Sequence, residues 1–276
     1  MAPEADIISI RVADSNGSVI ESELIVAIQE LADWIASDSK NKVDVLNLSL
    51  GYYHETPEDG RFSLDLYKAL SRIRAAGCVV VCSAGNDATD RPTFPAALHE
   101  KADAELNLGA DARLAPHHAV GALNPQRTSV ALFSNIGHWV TCFAPGTSVV
   151  SIFPDLRGGV QPGSKADLYE RRRQSLDPDD YSGGFAIWSG TSFAAPYVAA
   201  TIAKKRGALL MEGKAAVAKS LAVNPGLAQK LSADPTLAET LAAEAATAAA
   251  LEDVGDLDES SKKAGPKSAS GGGGAA

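Results

Sequence analysis

The sequence predicts an α/β fold built on a parallel sheet, and three observations support this prediction. Short apolar, β-branched runs alternate along the chain with segments whose apolar residues recur at helical spacing. Residues 78–82 form a continuous apolar run, which is typical of a strand that is buried on both faces. The order strand, helix, strand, helix, strand is the pattern of parallel βαβ units.

The elements of the first part of the chain follow from these patterns. In chain order they are a strand over 7–12, a helix over about 19–36, a strand over 43–48, a helix from about 64 to 76 and a strand over 78–82. Leu24, Ile28, Leu31 and Ile35 give the first helix its apolar face. Gly77 supplies the stop of the second helix.

The later part of the chain is divided less evenly. Residues 119–123 and 139–143 are predicted as short strands, residues 156–182 as a surface loop, and a helix is expected from Gly190 to about Ile202. The domain prediction assigns 1–212 to the main domain and 213–255 to an extension of Ala/Leu-rich helices. Residues 256–276, with four consecutive glycines, are predicted to be a flexible tail.

Composition limits the classes of partner. The chain has 276 residues and a formal net charge of -9, which argues against nucleic acid or an anionic membrane, since both require a basic surface. No apolar run approaches the roughly 20 residues of a membrane span. The three cysteines, Cys78, Cys82 and Cys142, are too few and too irregular for a disulfide framework. The oligomeric state and the compartment stay open.

Loops at the carboxyl ends of parallel strands are where such sheets bind their ligands. Three loops of the predicted sheet qualify, namely 49–51, 83–87 and the turn that begins at Asp14. A fourth feature is Ser192, at the first turn of a predicted helix. A serine in this position is suited to nucleophilic catalysis, because the helix dipole and a free backbone N–H both stabilise a neighbouring oxyanion.

Two segments resemble the subtilisin-like (S8) serine protease family. Residues 189–199, SGTSFAAPYVA, resemble the nucleophile motif, and residues 75–86, AAGCVVVCSAGN, resemble the strand that leads to the oxyanion-hole asparagine. The resemblance covers roughly residues 1–203 and implies a doubly wound, mostly parallel sheet with helices on both faces, followed by C-terminal helices. It implies a serine endopeptidase in which Ser192 is the nucleophile and Asn86 donates to the oxyanion of the tetrahedral intermediate.

The same resemblance implies a substrate-binding set. Residues 45–51, VLNLSLG, are similar to the family strand on which an extended peptide adds as a further strand. Residues 94–96 are similar to the loop beside the specificity pocket. The substrate-binding residues implied are Ser49, Leu50, Gly51, Ser83, Ala84, Gly85, Pro95, Gly190 and Thr191. No cofactor and no metal site is expected from the residues themselves, although the family often binds calcium.

The catalytic Asp and His of this family have no match in the sequence. The five histidines are His54, His99, His117, His118 and His138, and none is followed by glycine as in the family's His-Gly-Thr turn. Asp14 begins a turn similar to that of the catalytic acid, but residues 2–12 resemble the family segment that follows the histidine helix. We therefore expect a truncated chain that lacks the front strands, the Asp and the His, and that is inactive alone.

Two other functions are compatible with the sequence. The first is a peptide-binding or interaction protein that keeps the cleft of this fold without its chemistry. The second is an unrelated α/β hydrolase that uses His54 or His138 as its general base. The substrate in the leading hypothesis is a polypeptide.

Overall fold

The computed structural model describes residues 1–15, 17–56, 59–99, 113–154, 165–174 and 183–223. Its elements are, in chain order, α1 (Glu21–Ser37), β1 (Val45–Leu48), α2 (Asp59–Ala75), β2 (Val79–Ser83), β3 (His117–Leu123), β4 (Cys142–Pro145), β5 (Val149–Ile152), β6 (Lys165–Leu168), β7 (Arg171–Gln174), β8 (Phe185–Trp188) and α3 (Thr191–Val223). Each helix and core strand predicted between residues 19 and 145 is present, with its ends shifted by a few residues.

The central sheet has four strands in the order β1-β2-β3-β4, and every neighbouring pair is parallel. Val80 of β2 is in register with Leu46 of β1 on one side and with His117 of β3 on the other. The parallel α/β fold predicted from the βαβ pattern is thereby confirmed. Parallel strands place all their carboxyl ends at one edge, so the loops that follow β1 and β2 lie side by side.

Helices cover both faces of this sheet and give the protein two apolar cores. On one face α1 and α2 share an apolar core with alternate residues of β2, to which they contribute Leu24, Ile28, Leu66, Leu70 and Ile73. On the other face α3 packs through Ala194, Ala195, Val198 and Ile202. The prediction of helices on both faces is confirmed.

The apolar run of β2 is continuous because both faces of this strand are buried. Side chains of a strand alternate between the two faces of its sheet. Val80 and Cys82 belong to the core beneath α1 and α2, whereas Val79 and Val81 belong to the core beneath α3. All five residues of the strand are buried. The cysteines of the described chain are free, and burial raises the pKa of the Cys78 thiol to about 12, so this thiol stays protonated.

Two antiparallel ribbons lie outside the central sheet. β5 pairs with β8, and β6 pairs with β7. The second ribbon falls inside residues 156–182, which the sequence predicted to be a loop, and it carries the arginines of residues 171–173. Residues 155–164 and 175–182 lie outside the described part of the chain.

The strand predicted over residues 7–12 is wrong. Ile7, Ile8 and Ile10 are exposed by 88, 57 and 47 %, and the region contains a single bridge, between Ala13 and Val19. No described segment pairs with the outer edge of β1. Residues 7–12 pair with no strand in the described structure, and β-branched residues form a strand only where a paired, half-buried surface receives them.

α3 continues beyond its predicted end at Ile202 and reaches Val223. The predicted boundary between residues 212 and 213 therefore lies within this helix. Residues 224–276 lie outside the described part of the chain, and with them most of the predicted helical extension and the whole predicted tail.

Among the helices that the structure describes, none combines the length and the apolar character needed to cross a bilayer.

Candidate active site

Three segments predicted to form the site meet at the carboxyl edge of the central sheet. The Ser49 hydroxyl, after β1, donates to the main-chain oxygen of Ser192 at 3.0 Å. The Gly85 N–H, after β2, donates to the Thr191 hydroxyl, also at 3.0 Å. The Gly190 N–H donates to the carbonyl of Gly146, after β4, at 2.8 Å. These contacts hold the start of α3 against the ends of three strands.

Ser192 is the second residue of α3 and is half-buried. The N–H groups of a helix's first turn have no partner within the helix, so the Ser192 N–H is available to an oxyanion beside its own hydroxyl. The positive end of the helix dipole favours negative charge at the same place. The local geometry that the sequence predicted for this serine is present.

Asn86 lies directly against the start of α3. Its Oδ1 accepts hydrogen bonds from the Thr191 N–H at 2.8 Å and from the Thr191 hydroxyl at 3.1 Å. Only the carbonyl oxygen of a carboxamide accepts, so these bonds fix which end of the amide faces Thr191 and leave Nδ2 to donate elsewhere. A Cβ placed on Gly190 would lie 3.4 Å from Nδ2, which puts this donor beside the turn that carries Ser192.

Thr191 is fully buried and connects the two sides of the site. Its hydroxyl accepts from Gly85 and donates to Asn86, and its own N–H adds the second bond to Asn86. The sequence placed Thr191 among the substrate-binding residues. Its side chain is buried and bonded to Asn86, so any contact with a peptide would come from its main chain.

The main chain of residues 49–51 makes no backbone hydrogen bond to any described part of the chain. Gly51 is exposed and is followed by Tyr52, which exchanges two 2.8 Å backbone hydrogen bonds with Phe94. An edge of free N–H and C=O groups beside Ser192 is suited to pairing with an extended peptide. Ser49 uses its side chain to hold Ser192, which leaves its main chain for such pairing.

Four residues of the predicted substrate-binding set have buried side chains: Ser83, Ala84, Pro95 and Thr191. Gly85 has a φ of +102° and sits between the buried strand end and Asn86. The site thus consists of exposed main chain on a buried support.

No described histidine hydrogen bonds to Ser192. The His54 ring stacks on Phe94 with centroids 3.7 Å apart, and its Nε2 lies 2.5 Å from the hydroxyl of Ser63. His138 is exposed, and its neighbour Trp139 is buried. Asp14 is exposed and accepts the N–H of Ser18 at 3.1 Å, within its own turn.

Two residues of the site were missed as functional candidates. Asn135 is fully buried beneath the loop that carries Asn86, and Tyr53 follows the predicted substrate strand. The available signal was a polar residue, Asn135, in a segment, 130–136, whose members are mostly apolar. Its role depends on contacts with residues 82 and 51 positions away, which no local pattern displays.

No group of three or more His, Cys, Asp or Glu residues in the described ranges is arranged to hold a metal ion.

Comparison with known families agrees with this geometry. The subtilase family model matches residues 1–232, so the chain belongs to the subtilase family of serine peptidases. The matched region contains α1 to α3 and every site residue described above. The resemblance seen in the nucleophile and asparagine motifs is thereby confirmed at the level of the family.

Two curated relatives illustrate the extent of the match. An intracellular serine protease of Paenibacillus polymyxa is 27% identical over 208 residues, which are 74% of this chain and 46% of that protein. A thermophilic serine proteinase of Bacillus sp. (strain AK1) is 31% identical over 199 residues, 72% of this chain and 35% of that protein. The chain therefore spans less than half the length of these relatives.

A solved structure, that of a lanthipeptide protease, superposes with a TM-score of 0.49 at 19% identity, over 70% of this chain and 53% of that one. At this level of superposition the family assignment rests on the sequence match.

Proposed function

We propose that this chain carries the nucleophile and the oxyanion hole of a serine endopeptidase. The observation that supports this most directly is the joint placement of Asn86 and Ser192 by Thr191, with the Asn86 amide oriented so that Nδ2 is its free end. An oxyanion hole needs preorganised donors beside a nucleophile, and here one donor belongs to the start of α3 and the other to an amide that Thr191 orients.

The reaction follows from these positions. A substrate peptide pairs with the main chain of residues 49–51, and the Ser192 Oγ attacks the scissile carbonyl carbon. The carbonyl oxygen takes up the electron pair as an oxyanion, which accepts hydrogen bonds from Asn86 Nδ2 and the Ser192 N–H. The serine proton passes to a base and then to the leaving amine as the C–N bond breaks. Water hydrolyses the resulting ester and regenerates Ser192.

The base of this proposal, and the carboxylate that orients it, come from sequence outside this chain. No histidine within it has the family's His-Gly-Thr context. His54 in addition is hydrogen-bonded to Ser63. Without a base the Ser192 hydroxyl is a weak nucleophile. Residues 1–276 by themselves should then have no peptidase activity.

The test is covalent labelling of the native protein, purified from its source, with a fluorophosphonate, followed by peptide mapping. Labelling at Ser192 is expected, and Ser192→Ala should abolish it. Ser189 is a matched control, since it lies exposed in the same turn and its hydroxyl accepts the Ser148 N–H. Ser189→Ala should leave labelling intact, and Asn86→Ala should lower kcat by about 10²–10³-fold.

A native protein that folds but is not labelled at Ser192 would refute the catalytic proposal. Peptide binding that is retained in such a protein would instead support the non-catalytic, peptide-binding function.

A further inference from the structure

We propose that Asn135 is the positioning residue of the oxyanion hole. Its buried carboxamide holds the loop that carries Asn86 in the conformation needed for catalysis. This inference rests on the proposed function and deepens it. The hydrogen bonds of Asn135 go to the loop and to Tyr53 rather than to Ser192 or the Asn86 side chain, so it acts on the chemistry only through the loop.

The Asn135 carboxamide uses every hydrogen-bonding position it has. Its Oδ1 accepts from the N–H of Asp87 at 2.9 Å and from the N–H of Thr89 at 3.4 Å. Its Nδ2 donates to the carbonyl of Ala84 at 2.9 Å and to the hydroxyl of Tyr53 at 2.8 Å. Two acceptor positions and two donors are all that a carboxamide offers. The side chain is 0 % exposed, so no bond is shared with solvent.

The contacts of Asn135 lie on both sides of Asn86. Its main-chain N–H donates to the carbonyl of Gly85 at 3.0 Å, in addition to the side-chain bonds to Ala84 and Asp87. Gly85 has a φ of +102°, and a Cβ there would overlap the Asn135 amide nitrogen. The loop therefore wraps closely around one amide group, and its path depends on that group's size and polarity.

Asn135 also joins this loop to the other wall of the cleft. The Tyr53 hydroxyl that accepts from Asn135 donates in turn to the Asp87 carboxylate at 2.7 Å. Burial, followed by the bond to Asp87, raises the pKa of Tyr53, so the hydroxyl stays protonated and able to donate. The Arg91 guanidinium lies over the Tyr53 ring, 4.8 Å from its centroid. Tyr53 is two residues past Gly51, so one amide ties both peptide-binding segments together.

A purely structural role accounts for this arrangement less well than a positioning role does. A buried polar side chain must have every bond satisfied or it destabilises the fold, whereas an apolar side chain of similar volume carries no such requirement. The arrangement on Asn135 fixes three main-chain groups within two residues of Asn86. An oxyanion donor that moves by about 1 Å can lose about 10²-fold in rate, so precise support of this loop affects turnover directly.

The test uses the native protein and the variant Asn135→Asp, which keeps the shape and the acceptor atoms but replaces the Nδ2 donor. We expect kcat to fall by about 10–100-fold, with KM unchanged within about twofold, since substrate binding along residues 49–51 is retained. Affinity for a peptide boronate, which forms a tetrahedral adduct, should fall by the same factor as kcat. A product-like peptide should bind as before.

Two comparisons separate positioning from stability. In an Asn86→Ala background, Asn135→Asp should change kcat by less than about twofold, because the donor through which it acts is absent. Thr141→Val is the control for a lost, partly buried hydroxyl, since Thr141 bonds both main-chain groups of Ala119, away from the loop. It should lower the thermal midpoint and leave kcat and KM unchanged.

If Asn135→Asp does not fold, Tyr53→Phe provides the same test, because it removes only the hydroxyl that accepts from Asn135. A fall in kcat of a few-fold without a change in KM is then expected. Asn135 would be shown to be structural alone if its variants lower the thermal midpoint but not kcat, or if they lower kcat equally in the Asn86→Ala background. Absence of hydrolysis and of Ser192 labelling in the parent protein would overturn the proposed function itself.

Discussion

Two runs of this chain are apolar and rich in β-branched residues, but only one of them forms a strand. Residues 79–83 form β2, the strand whose five residues are all buried at the centre of the molecule. Residues 7–12 form no strand, and their isoleucines are exposed by 47 to 88 %. Each run is followed by a turn that contains a glycine with positive φ, Gly17 in one case and Gly85 in the other.

The difference lies in the partners that each run finds. β2 is hydrogen-bonded on both edges, to β1 and to β3, and it separates two apolar cores. Residues 7–12 pair with no strand in the described structure. Strand propensity measures how well a side chain fits a paired, half-buried surface, so it does not by itself create a strand. The loop that carries Asn86 begins directly after the well-paired run.

The largest expected difference between the two runs comes from placing a charge in each. Val80→Asp places a carboxylate at a position that is 0 % exposed, and it should destabilise the fold by more than about 4 kcal/mol. Ile10→Asp places the same group at an exposed position and should change the free energy of unfolding by less than about 0.5 kcal/mol. Urea denaturation followed by circular dichroism measures both. Similar losses for the two variants would show that residues 7–12 are packed in solution.

A smaller difference in stability is expected between substitutions of the two turn glycines, Gly85 and Gly17. Gly85→Ala combines a left-handed backbone with overlap on Asn135, and should cost about 2–4 kcal/mol. Gly17 has a φ of +86°, and a Cβ added there would meet no heavy atom within 4 Å, so Gly17→Ala should cost only about 1 kcal/mol. Urea midpoints at equal m-value give both numbers. Equal losses would mean that the contact with Asn135 adds nothing beyond backbone strain.

The smallest effect is the pH dependence of stability that comes from His117 in β3, which pairs with β2. Burial first, and then His99, Arg74 and His118, lower the pKa of His117 well below its ordinary value of 6.5. The unfolded chain then takes up a proton below pH 6.5 that the folded protein does not. Stability should therefore fall with decreasing pH by up to about 1.4 kcal/mol per unit, until the pH reaches the folded-state pKa.

His117→Phe should remove this part of the acid dependence. Neither ring nitrogen of His117 makes a hydrogen bond of ordinary geometry with the described residues, and the weak contribution of the Pro95 main chain is outweighed by burial, so the apolar ring loses little bonding. His138→Phe, at an exposed position, is the control. Urea midpoints at about pH 7 and about pH 5, on either side of the ordinary histidine pKa, provide the comparison. An unchanged slope for His117→Phe would show that another group carries the acid sensitivity.

Much of the fold was predictable, because periodicity reports burial directly. Leu24, Ile28 and Leu31 recur at helical spacing, and they pack in the core as part of α1. The apolar run at β2 required a strand buried on both faces, and it lies between two helical layers. The hairpin of β6 and β7 was not predicted, since its arginine-rich strand has no apolar alternation.

The candidate site divides in the same way. Ser192 and Asn86 were identified from local motifs, and the structure places them on either side of Thr191. Asn135 and Tyr53 were not identified, because their contacts join residues far apart in sequence. Thr191 was identified, but its place behind Asn86 became visible only when the start of α3 was set against the end of β2.

By itself the sequence determined the parallel α/β framework and the family, because both follow from motifs and spacings over a few residues, and it named Ser192 and Asn86 as candidates for the nucleophile and the oxyanion donor. Tertiary structure decided which apolar run became a strand, which end of the Asn86 amide is free, and that a buried Asn135 supports the loop. These outcomes depend on which groups from distant segments compete for the same hydrogen bonds and strand edges, and folding brings those groups together only in three dimensions.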